Sequence, residues 1–364
     1  MGSNLPPSVR LVSLDVFRGA TIASMILVNN AGDWDHVYPP LLHARWHGWT
    51  FTDLIYPFFL WIAGVAMTLS FARRMERGAD RVKLLGHVLR RSAVIFALGL
   101  LLNGFPYYRL DTIRIPGVLQ RIAICYLIAA AIFLYSSVRG QMAWIVILLS
   151  GYWTLMTRVP VPGHGAGVLE PGANFANWVD ALFLSGHMWS HTKFWDPEGI
   201  VSTIPAIATV LFGVLAGHIL RTRREPVQKT VWLLLAGNTL LFAGAMLSTW
   251  MPINKMIWTS SYAVFTAGMA FVCFAFCFWF ADVLGRRGWT RPFVIFGMNA
   301  IAVYVLSGVL ARGIGLLKWH DPILRVFQTV GDPYVASLLY ALAHVLVLYG
   351  IAWLLYRRQW FLRV

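Results

Sequence analysis

The sequence predicts an all-α, polytopic membrane protein with about ten transmembrane helices. Of its 364 residues, 58% are hydrophobic and only 12% are charged, which is about half the charged share of soluble domains. Its 17 Trp and 23 Phe residues are typical of the aromatic belts at membrane surfaces. Because a soluble domain could not bury this much apolar surface, the composition excludes an ordinary soluble enzyme.

Ten apolar runs lie close to the length of about 20 residues that a helix needs to cross the hydrocarbon core. The fifth run is the shortest, and polar residues interrupt the ninth. The predicted spans are 12–30, 51–72, 86–104, 116–136, 142–158, 201–221, 230–250, 258–281, 292–311 and 334–356.

Basic residues cluster in alternate connections, and this pattern predicts the orientation. They follow the second, fourth, sixth and eighth spans and end the chain. Since cytoplasmic loops carry the excess of Lys and Arg, both termini are predicted to be cytoplasmic. This topology also explains the formal net charge of +15. The chain lacks zinc-finger, RNA-binding and basic-zipper patterns, so the lipid bilayer is an expected partner and nucleic acid is not.

The opposite side of the membrane receives most of the histidines and acidic residues. The loop after the first span contains His43, and the long segment 159–200 contains Asp196 and Glu198. Connections of this length usually have a function. Residues 1–364 are therefore expected to form a single transmembrane domain, with 159–200 as a periplasmic cap.

The stretch 43–64 begins as a polar loop and ends inside the second span. His43 has the side chain best suited to exchange protons near neutral pH, although an interfacial histidine can equally cap a helix or bind a headgroup. His47, four residues later, could form a metal pair with His43, but only acidic residues in other loops could supply the further ligands of a zinc site. We therefore predict no metal. Asp53 either stabilises the start of the second helix or orients His43.

Other polar side chains lie at or inside the spans, where ionisable groups are costly. Asp15 and Arg18, three positions apart, form either a structural ion pair or part of a site. Asn29 is either a helix cap or a donor to a carbonyl oxygen. The remaining candidates could equally join helices through hydrogen bonds: they are Arg114, Gln120, Arg121, Lys255 and Asn299.

Several long motifs together resemble one family. They are LDVFRG at 14–19, VNNAG at 28–32, HARWHGWTFTDLIYPFFLWIAGVAM at 43–67, RIPGVLQRIAICYL at 114–127, WDPEGIVSTIPAIATVLFGVLAG at 195–217, NKMIWTSSYAVFTAGMA at 254–270 and FGMNAIAVYVLSG at 296–308. Over nearly its whole length, the chain is similar to the heparan-α-glucosaminide N-acetyltransferase family, in its bacterial inner-membrane branch.

The resemblance implies transfer of an acetyl group from cytosolic acetyl-CoA to the amino group of a glucosamine-type sugar on the periplasmic side. The family's active histidine falls on His43, an asparagine of its acetyl site on Asn29, and its helix-start aspartate on Asp53. The resemblance also implies that the chain is a multi-pass protein of the bacterial inner membrane and forms a homodimer.

Within that activity, we expect His43 to be the general base, Asn29 a donor to the acetyl oxygen and Asp53 the group that orients the imidazole. Acetyl-CoA is the expected co-substrate. Alternatives left open are an acetyl-His43 intermediate, an O-acyltransferase of cell-wall or exopolysaccharide sugars, and a sugar transporter. The residues expected to hold CoA are Asp15, Arg18, Arg114, Gln120, Arg121, Lys255 and Asn299, and those expected to bind the sugar are Trp46, His47, Asp196 and Glu198.

Overall fold

The computed structural model describes residues 11–361, and this part of the chain is mostly α-helical. The all-α prediction is therefore confirmed. The helices are α1 (Val12–Asn29), α2 (Thr52–Glu76), α3 (Arg81–Gly104), α4 (Val118–Tyr135), α5 (Val138–Arg158), α6 (Phe175–Leu184), α7 (Thr203–Arg221), α8 (Pro226–Leu247), α9 (Ser260–Phe278), α10 (Arg291–Met298), α11 (Ala300–Leu316), α12 (His320–Gln328) and α13 (Pro333–Arg357).

Within residues 11–361, eight helical stretches are long and apolar enough to cross a membrane: α1 to α4, α7, α8, α13 and Ser260–Val283, which extends α9. The pair α10 and α11, bent by 82°, raises the number to nine if it is one broken span. The fifth predicted span corresponds to α5, which has 21 residues but carries Arg139 and Gln141 in its first turn. The polytopic membrane class is confirmed. The count of ten and the cytoplasmic termini, which lie outside the described residues, stay predictions.

Helices α2 and α7 occupy the centre of the bundle. The apolar windows of α2 and α7 are 72% and 78% buried, against 22% for α8 and 28% for α13. Two glycines bring the backbones of α2 and α7 together, as small residues do in membrane bundles. A Cβ atom on Gly64 would lie 2.0 Å from the Val210 carbonyl oxygen, and one on Gly213 would lie 2.0 Å from the Trp61 carbonyl oxygen. The middles of α2 and α7 are therefore packed backbone against backbone.

The ninth predicted span is divided at Asn299 into α10 and α11. The Asn299 amide donates to the Trp360 carbonyl oxygen over 3.2 Å, so its polar group is satisfied where the helix breaks. Helix α10 then packs closely on α1, since a Cβ atom on Gly297 would lie 2.2 Å from the Asp15 carbonyl oxygen. The polar interruption of this span thus marks a sharp bend between two helical pieces.

The segment 159–200 covers the end of the bundle where α1 stops and α2 begins, called here the His43 end. The segment contains α6, whose N-cap Asn174 accepts a hydrogen bond from the Asn177 amide. Its apolar residues pack against the end of α5 and the connection before α9, in a cluster that includes Tyr152, Ala176 and Ile257. The packing supports a folded segment above the site described next.

Candidate active site

His43 and Asp53 form a hydrogen-bonded pair at the start of α2. The Nδ1 atom of His43 lies 2.7 Å from Asp53 Oδ1, and the Asp53 side chain is fully buried whereas that of His43 is 38% exposed. The other carboxylate oxygen accepts the backbone N–H groups of Ala44 and Thr50, each over 3.0 Å. These donors stabilise an ionised carboxylate, which can only accept. His43 therefore donates from Nδ1, and its Nε2 atom carries the lone pair.

Lys255 lies against the same imidazole from the connection between α8 and α9. Its Nζ atom is 3.0 Å from both ring nitrogens of His43 and 3.9 Å from Asp53 Oδ1, and its side chain is 13% exposed. Since Nδ1 donates to Asp53, Nε2 is the ring nitrogen that can accept a hydrogen bond from Lys255. Burial lowers the pKa of His43 and Lys255 lowers it further, against the opposite effect of Asp53. The neutral, proton-accepting form of His43 is thereby favoured.

The connection that carries Lys255 is docked on the loop that carries His43. The Gly48 amide donates to the Ile253 carbonyl oxygen over 2.7 Å, and the fully buried Asn254 lies beside it. Trp258 closes this connection with a φ of +52°, a left-handed conformation that is unusual for a bulky side chain. Strained residues persist where their surroundings fix them, and here the buried indole does so. Lys255 is therefore held at His43 by a rigid turn.

Arg114, in the connection between α3 and α4, binds two carboxylates. Its Nε and Nη2 atoms lie 2.7 and 2.6 Å from the fully buried Asp196 carboxylate, and Nη2 lies 2.5 Å from Glu198. Burial alone would lower the pKa of Arg114, but the two carboxylates raise it overall. The charge of Glu198 also raises the pKa values of His43 and Lys255. The ion cluster is thus electrostatically coupled to the His43 site.

The turn 196–203, which carries these carboxylates, is held by hydrogen bonds from two sides. On one side, Asp180 accepts the Ile200 amide over 2.9 Å, and burial raises the pKa of Asp180 to about 6. On the other side, Arg121, only 1% exposed, donates to the Gly199 carbonyl oxygen over 3.2 Å and to the Ser202 hydroxyl. Asp180 and Arg121 thereby fix the turn that holds Arg114.

The residues predicted to hold CoA fall at the two ends of the bundle. Arg114, Gln120, Arg121 and Lys255 lie at the His43 end, where Gln120 and Arg121 are buried. At the opposite end, Arg18 lies 3.4 Å from Asp15 and 3.3 Å from the Gly297 carbonyl oxygen, close to the Asn299 bend. About 16 Å of helix separates Arg18 from Asn29, at 1.5 Å per residue.

Asn29 lines a cavity of about 260 Å³ enclosed by α1, α3, α4 and α11. The neighbouring Asn30 is engaged with the Ile26 carbonyl oxygen and Ser307, whereas the Asn29 side chain makes no hydrogen bond within residues 11–361. Arg114 lines the cavity and also belongs to the ion cluster, so the two regions are adjacent. The lining residues with polar side-chain groups are Asn29, Asn30, Asn103, Arg114, Tyr304, Ser307 and Arg312.

Trp46 and His47 flank His43 on the side of the segment 159–200. The Trp46 indole donates to the Leu169 carbonyl oxygen over 3.1 Å and meets Trp195 edge-on with centroids 5.3 Å apart. His47 Nδ1 lies 3.4 Å from the Asn254 amide nitrogen. Trp46 and His47, two of the four residues predicted to bind the sugar, therefore lie beside the site. Asp196 is instead fully buried against Arg114.

From the sequence, Lys255 was predicted to bind CoA. The packing of Lys255 on His43 and the role of Asp180 were not predicted. One signal was available for Lys255: it is a lysine in a connection on the side of the membrane predicted to be poor in basic residues. For Asp180 the sequence offers no comparable signal, because its role depends on burial within α6. No group of three or more His, Cys, Asp or Glu residues in the described part of the chain is arranged to hold a metal ion.

Comparison with known proteins identifies the family. The family model described as heparan-alpha-glucosaminide N-acetyltransferase, catalytic, matches residues 10–251. The human protein named heparan-alpha-glucosaminide N-acetyltransferase is 33% identical over 359 residues, covering 83% of this chain and 53% of the human protein. Its mouse counterpart is 31% identical over 357 residues, covering 83% of this chain and 54% of the mouse protein. The chain thus spans about half the length of the curated relatives it matches. The family resemblance of the sequence motifs is confirmed, and the chain belongs to the heparan-α-glucosaminide N-acetyltransferase family.

Proposed function

We propose that the chain is a transmembrane N-acetyltransferase that moves an acetyl group from acetyl-CoA to the amino group of a glucosamine-type sugar. The observation that carries this proposal is the His43–Asp53 pair, in which a half-exposed imidazole keeps its Nε2 lone pair. The human and mouse relatives, named for this kind of activity, support it. We further propose that the protein lies in a bacterial inner membrane, acts on a periplasmic acceptor and forms a homodimer.

The chemistry follows from the charge state of the pair. His43 Nε2 accepts a proton from the sugar ammonium, and the buried Asp53 carboxylate stabilises the imidazolium that forms. The neutral amine attacks the thioester carbonyl carbon, a C–N bond forms and an oxyanion develops. Collapse breaks the C–S bond, the CoA thiolate takes a proton from His43, and the second N–H proton of the new amide leaves through the regenerated imidazole. We assign Asn29 as a donor to the oxyanion.

The cavity beside Asn29 suits the acetyl end of the donor. Its lining combines amide, hydroxyl and guanidinium groups with apolar side chains such as Met25 and Leu102, which suits a thioester arm that contains amide groups. We propose that Arg114 borders the arm, while Arg18, at the other end of the bundle, lies on the side from which the nucleotide phosphates arrive. We assign Gln120, Arg121 and Asp196 to positioning, because all three side chains are buried.

On the acceptor side, we propose that the sugar binds between Trp46 and His47. Aromatic side chains combine an apolar face with a polar edge, and Trp46 is only half-buried. Glu198 is coupled to His43 through its charge. The negative charge of Glu198 would favour a positively charged acceptor. A protonated amino sugar carries such a charge, whereas a neutral sugar does not.

Replacing His43 by alanine tests the proposal directly. Removing the general base should lower kcat for glucosamine acetylation by about 10²- to 10⁴-fold. His36 provides a matched control, because it also pairs with an aspartate in the same loop, with Nδ1 2.7 Å from Asp33 Oδ2. His36→Ala should keep near-wild-type kcat. Acetylation assays with purified protein would contradict the proposal if His43→Ala stayed active.

Acceptor class requires a separate comparison. Glucosamine and N-acetylglucosamine differ in their free amine but share hydroxyl groups, so acetylation of glucosamine alone supports N-transfer. Equal acetylation of both sugars would indicate an O-acyltransferase instead. Uptake of labelled glucosamine into proteoliposomes without acetyl-CoA would indicate a transporter.

A further inference from the structure

A primary amine of the protein already lies where the reaction needs one. Lys255 Nζ is 3.0 Å from the Nε2 atom of His43, the atom that carries the lone pair, and 3.9 Å from Asp53 Oδ1. The ammonium of an amino sugar needs the same base and the same negative charge. It must therefore displace Lys255 from Nε2 or share that position with it.

We propose that Lys255 takes the place of the acceptor amine in the substrate-free site, and that it is acetylated at Nζ when acetyl-CoA binds without a sugar. This inference rests on the proposed function, since it uses the same base and donor. It adds a modification site inside the protein and assigns the acceptor amine to the space between His43, Asp53 and Glu198.

The reaction balances without any further reactant. His43 takes a proton from the Lys255 ammonium, and Asp53 stabilises the imidazolium. The neutral Nζ atom attacks the thioester carbonyl carbon, a C–N bond forms and the C–S bond breaks. The CoA thiolate receives one proton, the second N–H proton leaves through His43, and the products are an acetylated Lys255 and free CoA. Burial also lowers the pKa of Lys255, which increases the share of the reactive neutral amine.

Acetylation at Lys255 would be self-limiting. The amide formed has no basic nitrogen and no positive charge, and it would fill the acceptor position beside His43. We therefore expect at most one acetyl group at this site per chain and a slower reaction with sugar afterwards. Glucosamine present from the start should protect Lys255, because both amines compete for His43 Nε2.

The test is to incubate the purified chain of 364 residues with radiolabelled acetyl-CoA and no sugar, and to map the label by peptide mass spectrometry. We expect label on Lys255 that survives neutral hydroxylamine, because an acetyl-lysine amide is stable whereas an acetyl-imidazole is not. Lys255→Arg and His43→Ala should both lack it. Exposed Lys318 reports spontaneous acetylation, and His43→Ala should leave its labelling unchanged.

Three results would overturn the inference: a hydroxylamine-labile label on His43 alone, no label on Lys255, or Lys255 labelling that persists in His43→Ala or in excess glucosamine. Mapping in the unsubstituted chain keeps the test independent of how the variants fold. The same preparation is assayed with glucosamine. Sugar acetylation without labelling of Lys255 rejects this inference alone, whereas the absence of both rejects the proposed function.

Discussion

At the scale of single residues, two neighbours of opposite charge control His43. Asp53 accepts a hydrogen bond from Nδ1, and Lys255 Nζ lies 3.0 Å from Nε2. Asp53 raises the pKa of His43 while Lys255 and burial lower it. The imidazole is therefore held in one tautomer by Asp53 and close to neutral by Lys255, as a general base requires near neutral pH.

This opposition predicts two pH profiles that move in opposite directions. Below the pKa of His43 the imidazole is protonated, so kcat/KM should fall on the acid side. Lys255→Met removes a group that lowers this pKa, so the acid limb should move to higher pH. Asp53→Asn removes a group that raises it, so its limb should move to lower pH, with a reduced kcat.

The measurement is kcat/KM for glucosamine across the pH range, with all three proteins in the same detergent and buffer series. A folding defect would lower the whole curve without displacing its limb. If the acid limbs of the two variants coincide, Asp53 and Lys255 do not control the pKa of His43.

Much of the residue-scale site could be predicted because it is local in the chain. His43 and Asp53 are ten positions apart and lie in one motif, so spacing and resemblance brought them together. Lys255 is 212 positions from His43, and only the packing of the α8–α9 connection onto the His43 loop makes them neighbours. A contact of that sequence separation leaves no local pattern to read.

At the scale of elements, the turn 196–203 and the α3–α4 connection are joined by charge. Arg114 forms ion pairs with Glu198 and with the fully buried Asp196. Its carboxylate also accepts the Trp189 and Glu198 amides, each over 2.9 Å. The Arg114 guanidinium is thus one of the groups that attach the segment 159–200 to the rest of the protein.

Removing this guanidinium should be strongly destabilising. Arg114→Met leaves two carboxylates without their cation, and breaking a buried pair in this way costs about 3–5 kcal/mol. Arg221 provides the matched control, because its pair with Glu76 spans 2.7 Å but the side chains are 34% and 51% exposed. Exposed pairs contribute about 0–1 kcal/mol, so Arg221→Met should change little.

Thermal unfolding of the purified variants in one detergent checks this prediction, together with limited proteolysis within residues 159–200. The Arg114→Met midpoint should fall well below that of Arg221→Met, and its segment 159–200 should be cleaved sooner. Equal midpoints for the two variants would show that the ion cluster does not hold the segment.

The element boundaries that sequence reasoning missed are those set by tertiary contacts. Nine of the ten predicted spans correspond to candidate spans or to the bent pair, because apolar length is a local property. The helix α6 and the bend at Asn299 were not foreseen as such. Helix α6 is only 10 residues long, and at the bend the Asn299 amide donates to the carbonyl oxygen of Trp360, 61 positions away.

At the scale of the whole molecule, the orientation of the bundle decides which compartment the site faces. The basic connections predict that the His43 end is periplasmic and that the loop after α7 is cytoplasmic. His164 and Arg223 are exposed at these two ends. The fold itself would be the same in either orientation, so the question belongs to topology.

Single cysteines at these positions test the orientation. In a background with Cys125, Cys273 and Cys277 replaced by alanine, His164→Cys should react with a membrane-impermeant maleimide in spheroplasts. Arg223→Cys should react only after permeabilisation, and this variant is the matched control. The reverse pattern would show that the His43 end faces the cytoplasm, and that both substrates approach the base from there.

The glycine contacts between α2 and α7 have a consequence for how substrates enter. Asp53 lies in the first turn of α2 and the turn 196–203 leads into α7, so the carboxylate that orients His43 and the acidic turn are carried by two closely packed helices. The donor cannot enter between α2 and α7, because separating these helices would break the backbone contacts at Gly64 and Gly213. Helix α11 also lines the donor cavity, is mostly half-exposed and is bent by 82° from α10 at Asn299. Admission of the donor would then be a hinge movement of α11 past a stationary catalytic base.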